Sequence, residues 1–91
     1  MTVHLLKTIN PYFEEIRRGV KKFEVRLNDR DFNVDDEVYL QEYDPETNKY
    51  SGIEIRADII YVLKDYEAIK KGYVVFGFRV KQHIIKNPHW V

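Results

Sequence analysis

The chain has 91 residues, fifteen Lys and Arg balanced by fifteen Asp and Glu, and no cysteine. This length supports one domain over residues 1–91, since two halves would each lack a core, and the missing cysteines exclude a disulfide scaffold, a zinc ribbon and a thiol nucleophile. Zero net charge excludes a general nucleic-acid coat, which needs a large basic excess to release counterions.

Ile and Val account for 19 residues against two alanines, a β-branched bias that favours strands. In chain order, Val3 to Lys7 reads as a short first strand. Asn10-Pro11 is a helix-start signal, and Phe13, Ile16 and Val20 recur at i, i+3 and i+7 on one apolar face. Glu14 and Glu15 fall in the first turn, Arg17 and Arg18 in the last, and Gly19 is the stop. From Lys22 the period becomes two, with Phe23, Val25 and Leu27 pointing one way and Lys22, Glu24 and Arg26 the other. After the polar loop Asn28–Asp31 and a turn at Val34-Asp35-Asp36, Glu37 to Tyr43 is the next strand, with Val38 and Leu40 toward the core.

A polar hairpin tip at Asp44–Lys49 leads into the longest strand, Ile53 to Leu63. Lys64 to Lys71 reads as a short second helical turn closed by Gly72, and Tyr73 to Val80 or Ile85 as a final strand bent at Gly77. Residues 86–91, including Pro88-His89-Trp90, read as a loosely held tail. The expected fold is α+β and mainly β: a small mixed β-barrel of five to six strands with one N-terminal helix and a short second helix. No stretch approaches the roughly 20 apolar residues of a membrane span, and the N-terminus lacks the pattern of a signal peptide. The expected setting is the cytoplasm, with no membrane partner.

The zero total conceals a segregated distribution. Residues 17–30 hold six bases against Glu24 and Asp29, a net of +4; residues 31–67 hold eleven acids against three bases, a net of −8; residues 68–91 hold five bases and no acid, a net of +5. If the basic segments are neighbours in space, one side of the domain is cationic.

The most informative stretch is Gly19-Val20-Lys21-Lys22-Phe23-Glu24-Val25-Arg26. An acid flanked by two bases stays ionised and holds its partners in place; such a cluster suits a ligand carrying a phosphate or a base edge. Equally, Lys22, Glu24 and Arg26 on a strand can be a solvated face. Gly19-x-Lys21-x-x-Glu24-x-Arg26 matches in full the G-x-K-x-x-E-x-R signature of the ASCH domain, a member of the PUA-like superfamily. Arg26-Leu27-Asn28-Asp29-Arg30-Asp31-Phe32, Val34 with Asp36, Tyr43-Asp44-Pro45 and Gly72–Gly77 extend the resemblance to a bacterial and phage branch of small stand-alone ASCH-like proteins, over about residues 3–80. Asp35 stands where that branch often has Gly.

The resemblance implies a PUA-like barrel with a helix beside a cleft and a role in binding RNA or modified nucleotides. Carried over by position, Lys21, Glu24 and Arg26 line the cleft and Gly19 allows the turn, with Arg30 added from the following loop. In the binding reading a Tyr provides stacking, Tyr73 being a candidate for that role or equally for a core or rim position. It also implies an alternative, an amidohydrolase acting on acylated nucleosides with Lys21 and Glu24 as the catalytic pair. No cofactor is implied.

Other motifs fail on inspection. Asp29-x-Asp31-x-Asn33 imitates a calcium loop, but Val34 replaces the required Gly and Leu40 the bidentate Glu. His4, His83 and His89 lack metal-ligand spacing, so no metal site is expected. The four glycines are scattered, leaving no phosphate-cradling loop.

Overall fold

The alternating β-branched segments form five strands around one short helix: β1 (Val3–Thr8), α1 (Tyr12–Arg17), β2 (Phe23–Leu27), β3 (Glu37–Asp44), β4 (Lys49–Lys64) and β5 (Tyr73–Ile85). The computed structural model describes residues 1–86; the Pro88-His89-Trp90 element, and with it the expectation of a loose tail, lies outside the described residues. The strands make one sheet in the order β1-β3-β4-β5-β2. β1 runs parallel to β3, and every other pair is antiparallel. β1 and β2, neighbours in sequence, are therefore the two edges.

β4 and β5 are long, 16 and 13 residues, and do not run flat. Their register shifts between Arg56 and Ala57 and again between Ile59 and Tyr61, and β3 slips against β4 between Gln41 and Tyr43. An extra residue on one strand bends it and increases its twist, so the sheet curls into a half-barrel. The bend expected at Gly77 appears on its partner strand, where Ile60 is the extra residue opposite Phe78-Gly77.

Alternation decides what fills the concave side. Leu6 pairs with Leu40, Leu40 with Ile55, Val38 with Ala57 and Ile59 with Phe78, and all are buried. Phe13 and Ile16 from α1 cover one end. Phe32, delivered by the loop after β2, plugs the middle with its ring centroid 4.6 Å from His4 and 5.0 Å from Phe76.

The helix is shorter than its apolar spacing predicts. Gly19, at φ +79°, ends it: the Gly19 amide donates to the Ile16 carbonyl at 3.0 Å and the Val20 amide to that of Glu15 at 2.9 Å, a Schellman pair. Val20 consequently lies past the helix and is largely exposed, not part of the apolar face with Phe13 and Ile16. At the other end the cap falls on Pro11 and not on Asn10 as its type predicts, and it carries no side-chain cap bond; Asn10, one residue earlier, accepts from the Glu14 amide through Oδ1 at 3.0 Å and donates through Nδ2 to Glu42 of β3 at 2.7 Å.

The expected second helix does not form. Lys64 belongs to β4, and residues 65–72 make tight turns closed by Ile69 N–H to Tyr66 O (2.9 Å) and Tyr73 N–H to Lys70 O (3.0 Å). Asp65 takes a φ of +56°, which no α-helix includes, and no residue from 64 to 73 is buried. A segment this short with no buried face does not sustain helix.

The start of β1 is tied to the turn before β3 through Asp36. Its buried carboxylate accepts from the Thr2 amide (3.0 Å), the Asn33 amide (3.0 Å) and His4 Nε2 (2.9 Å). Burial pushes this carboxyl up, but the bonds from His4, Thr2 and Asn33 outweigh it and hold the group below its ordinary value. Asp35 in the same turn has φ +76°, a conformation that Asp tolerates better than most residues. Among the described residues no helix is long and apolar enough to cross a membrane, and no group of three or more His, Asp or Glu is placed to hold a metal ion.

Candidate functional site in the seam between β1 and β2

Curling brings the two edge strands face to face across the open side of the half-barrel, and side chains span the gap. Arg26 Nη2 donates to the Lys7 carbonyl at 2.8 Å and to Thr8 Oγ1 at 3.3 Å, while Arg30 Nη1 donates to the Leu5 carbonyl at 2.8 Å. Unpaired edge carbonyls of β1 thus receive guanidinium donors where a barrel would supply a neighbouring strand.

The seam also explains why β2 is turned opposite to the usual pattern. Phe23, Val25 and Leu27 are each about half exposed, whereas Glu24 is only 4 % exposed. Glu24 and Arg26 lie across from Phe76 and Val74, whose side chains fill the concave side. Lys22, Glu24 and Arg26 are therefore not a solvated strand face; of the three only Lys22 is exposed.

A buried carboxylate needs compensating charge, and Glu24 has it on both oxygens. Oε1 accepts from Arg26 Nε at 3.0 Å and Nη2 at 2.8 Å; Oε2 pairs with the Lys21 ammonium. Lys21 is placed by the helix stop, since its amide also donates to the Glu15 carbonyl at 3.1 Å, and its Nζ donates to the Phe23 carbonyl at 2.7 Å. Two cations and one anion leave the cluster with a single net positive charge.

Above this cluster opens a pocket of about 600 Å³. Lys7, Thr8, Lys21, Glu24 and Arg26 supply its polar surface, and Ile9, Tyr12, Phe23 and Val25, all substantially exposed, supply an apolar rim. The Lys21 ammonium stands 5.0 Å from the Phe23 ring centroid and 5.6 Å from that of Tyr12. A model of the family DUF3850, a domain of unknown function, matches residues 3–78. The chain belongs to DUF3850. Among curated proteins none matches it.

The family match runs from β1 into β5, so the whole seam is part of the DUF3850 domain. Of the residues singled out from the sequence, Lys21, Glu24 and Arg26 meet in one pocket. Arg30 does not line it; it borders a smaller hollow with Leu6, Leu27 and Phe32, which Arg26 shares from the other side. Tyr73 also lies elsewhere, opposite Leu27 on β5, with the Lys70 ammonium 5.6 Å from its ring. The aromatic residues at the pocket are Tyr12 and Phe23. Their signal in the sequence was weak: Tyr12 follows Pro11 at the helix start, and Phe23 lies on the side of β2 that alternation assigns to a core.

The basic segments are neighbours through the β2–β5 pairing. However, Lys81 and Lys86 reach Asp58 and Glu54 on β4 at 3.4 and 3.2 Å. The DUF3850 domain therefore balances these two cations at the C-terminal end of the described residues against β4.

Proposed function

We propose that this DUF3850 domain binds RNA or a modified nucleotide in the seam pocket, and that it is a PUA-like domain of the ASCH type acting in the cytoplasm. The observation that carries this reading is the convergence of Lys21 and Arg26 on one buried carboxylate at the base of a pocket. Of five guanidinium N–H groups, Arg26 commits Nε and Nη2, so the two on Nη1 are uncommitted among the described residues; the Lys21 ammonium commits two of three. What faces a ligand is therefore a set of charged donors, suited to phosphate oxygens or base carbonyls. The curled half-barrel with α1 beside the pocket and the G-x-K-x-x-E-x-R motif lining it agree with the ASCH resemblance. Glu24 serves by positioning Lys21 and Arg26, and Arg30 by closing the seam next to them.

An amidohydrolase using Lys21 and Glu24 is the less favoured reading. A general base needs a carboxylate oxygen free to take a proton from water, and both oxygens of Glu24 already accept from cations.

Filter binding with single-stranded and structured RNA at low salt tests the proposal. Lys21→Ala is expected to weaken binding about tenfold or more without unfolding the domain, whereas Lys64→Ala, on β4 and outside the pocket, leaves most of it. A modest salt dependence is also expected, since few phosphates are contacted. No binding above background at low salt to either RNA or to free nucleotides would sink the reading.

A further inference from the structure

The pocket rim carries four apolar side chains, Ile9, Tyr12, Phe23 and Val25, each between 40 and 53 % exposed. Single exposed apolar residues are ordinary on any protein, but a contiguous group ringing a charged floor is not. Two of the four are aromatic, on different elements: Tyr12 opens α1 and Phe23 opens β2. The short link between helix and strand brings both to Lys21, whose ammonium is 5.6 and 5.0 Å from their ring centroids.

Resting on the binding role just proposed, we infer that the seam pocket takes a single unpaired nucleotide, with its base stacked on Tyr12 or Phe23 and its phosphate on Lys21 and Arg26. Three features lead there. The floor offers charged N–H donors while both oxygens of its one acid are occupied, so the ligand's polar end must be acceptor-rich and anionic. The rim offers ring area beside the same ammonium, so the ligand's other end must be flat and apolar, within the span of one nucleotide. A pocket of about 600 Å³ has the size of a small-molecule site. A base inside a duplex is already stacked on both faces and cannot reach these rings; an unpaired base can.

Two exposed cations, Arg18 and Lys22, lie on either side of Lys21 in the sequence and make no ion pair among the described residues. They are placed to meet flanking phosphates when the nucleotide belongs to a strand.

The test titrates the intact domain with adenosine and uridine 5′-monophosphate, inorganic phosphate, a single-stranded RNA hexamer and a blunt RNA duplex. Wild type, Lys21→Ala, Tyr12→Ala, Phe23→Ala and Tyr12→Phe are compared, with thermal melts checking that each is folded. The expected result is binding of the monophosphates and the hexamer in preference to the duplex. At least one ring truncation should cost about tenfold for these ligands, while leaving the weaker inorganic phosphate affinity within about twofold. Tyr12→Phe, which keeps the ring, should bind as wild type. If the hexamer binds and Lys21→Ala weakens it, but neither truncation matters or the duplex binds equally well, the single-nucleotide inference is overturned and the binding role stands. If none of the nucleotides or RNAs binds, both fall.

Discussion

Arg26 stands between two groups that need it for different reasons. Glu24 is a buried anion and requires charge; the Lys7 carbonyl is an edge acceptor and requires a donor. A guanidinium satisfies both because its N–H groups fan out in one plane, so Nε and Nη2 bond Glu24 while Nη2 also reaches across to β1. An ammonium has no such fork. Arg26→Lys is therefore expected to lose the bond across the seam and to lower stability by about 1–2 kcal/mol, read as a shifted urea midpoint at constant slope. Loss of a merely exposed ion pair would move the midpoint little.

At the level of elements, the link between α1 and β2 decides whether the motif can assemble. Gly19 has open space where a side chain would go, so an added methyl clashes with nothing, and the whole penalty of Gly19→Ala comes from forcing Ala to φ +79°. That penalty is about 1–2 kcal/mol, measurable in a thermal melt. If the variant relaxes by unwinding the helix stop, the Lys21 amide loses its bond to Glu15, and ligand affinity falls together with stability.

The five strands and the helix start were legible because alternation and the Asn-Pro signal are local properties, and Val38 and Leu40 face the core as their spacing requires. Three features were not legible. Burial of Glu24 depends on the seam, and the seam exists only because a parallel β1–β3 pairing places β1 and β2 at opposite edges of a curled sheet. The absent second helix reflects a lack of anything to pack on, which eight residues cannot reveal about themselves. Phe32 follows a polar loop and is buried because distant strands leave a space for its ring.

For the whole molecule, the motif residues Lys21, Glu24 and Arg26 were recognisable by type and spacing, but the division of labour among them was not. The start of the chain is held by Asp36, and its depressed titration has a definite consequence for acid stability. A carboxyl whose folded value lies below its unfolded one adds stability that is fully present above the unfolded value and is lost as pH falls through the folded one. Stability is thus expected to be insensitive to this group near neutrality and to decline below about pH 4. Asp36→Asn should destabilise the domain by about 1–3 kcal/mol at pH 7 and flatten the acid limb of a midpoint-against-pH plot. An unchanged acid limb would assign it to other carboxylates.

The arginine contacts across the seam also have a consequence for which substitutions the domain can absorb. Arg26 and Arg30 grip main-chain carbonyls at Lys7 and Leu5, and every amino acid brings an identical carbonyl. The outward side chains of β1 are thereby released from any part in closing the fold, while the two arginines are each confined to one residue type. Apart from Thr8, whose hydroxyl also accepts from Arg26, one lip of the seam is free to drift and the other is not, so a change in what lines the pocket can begin on β1, at Lys7, without first undoing the half-barrel.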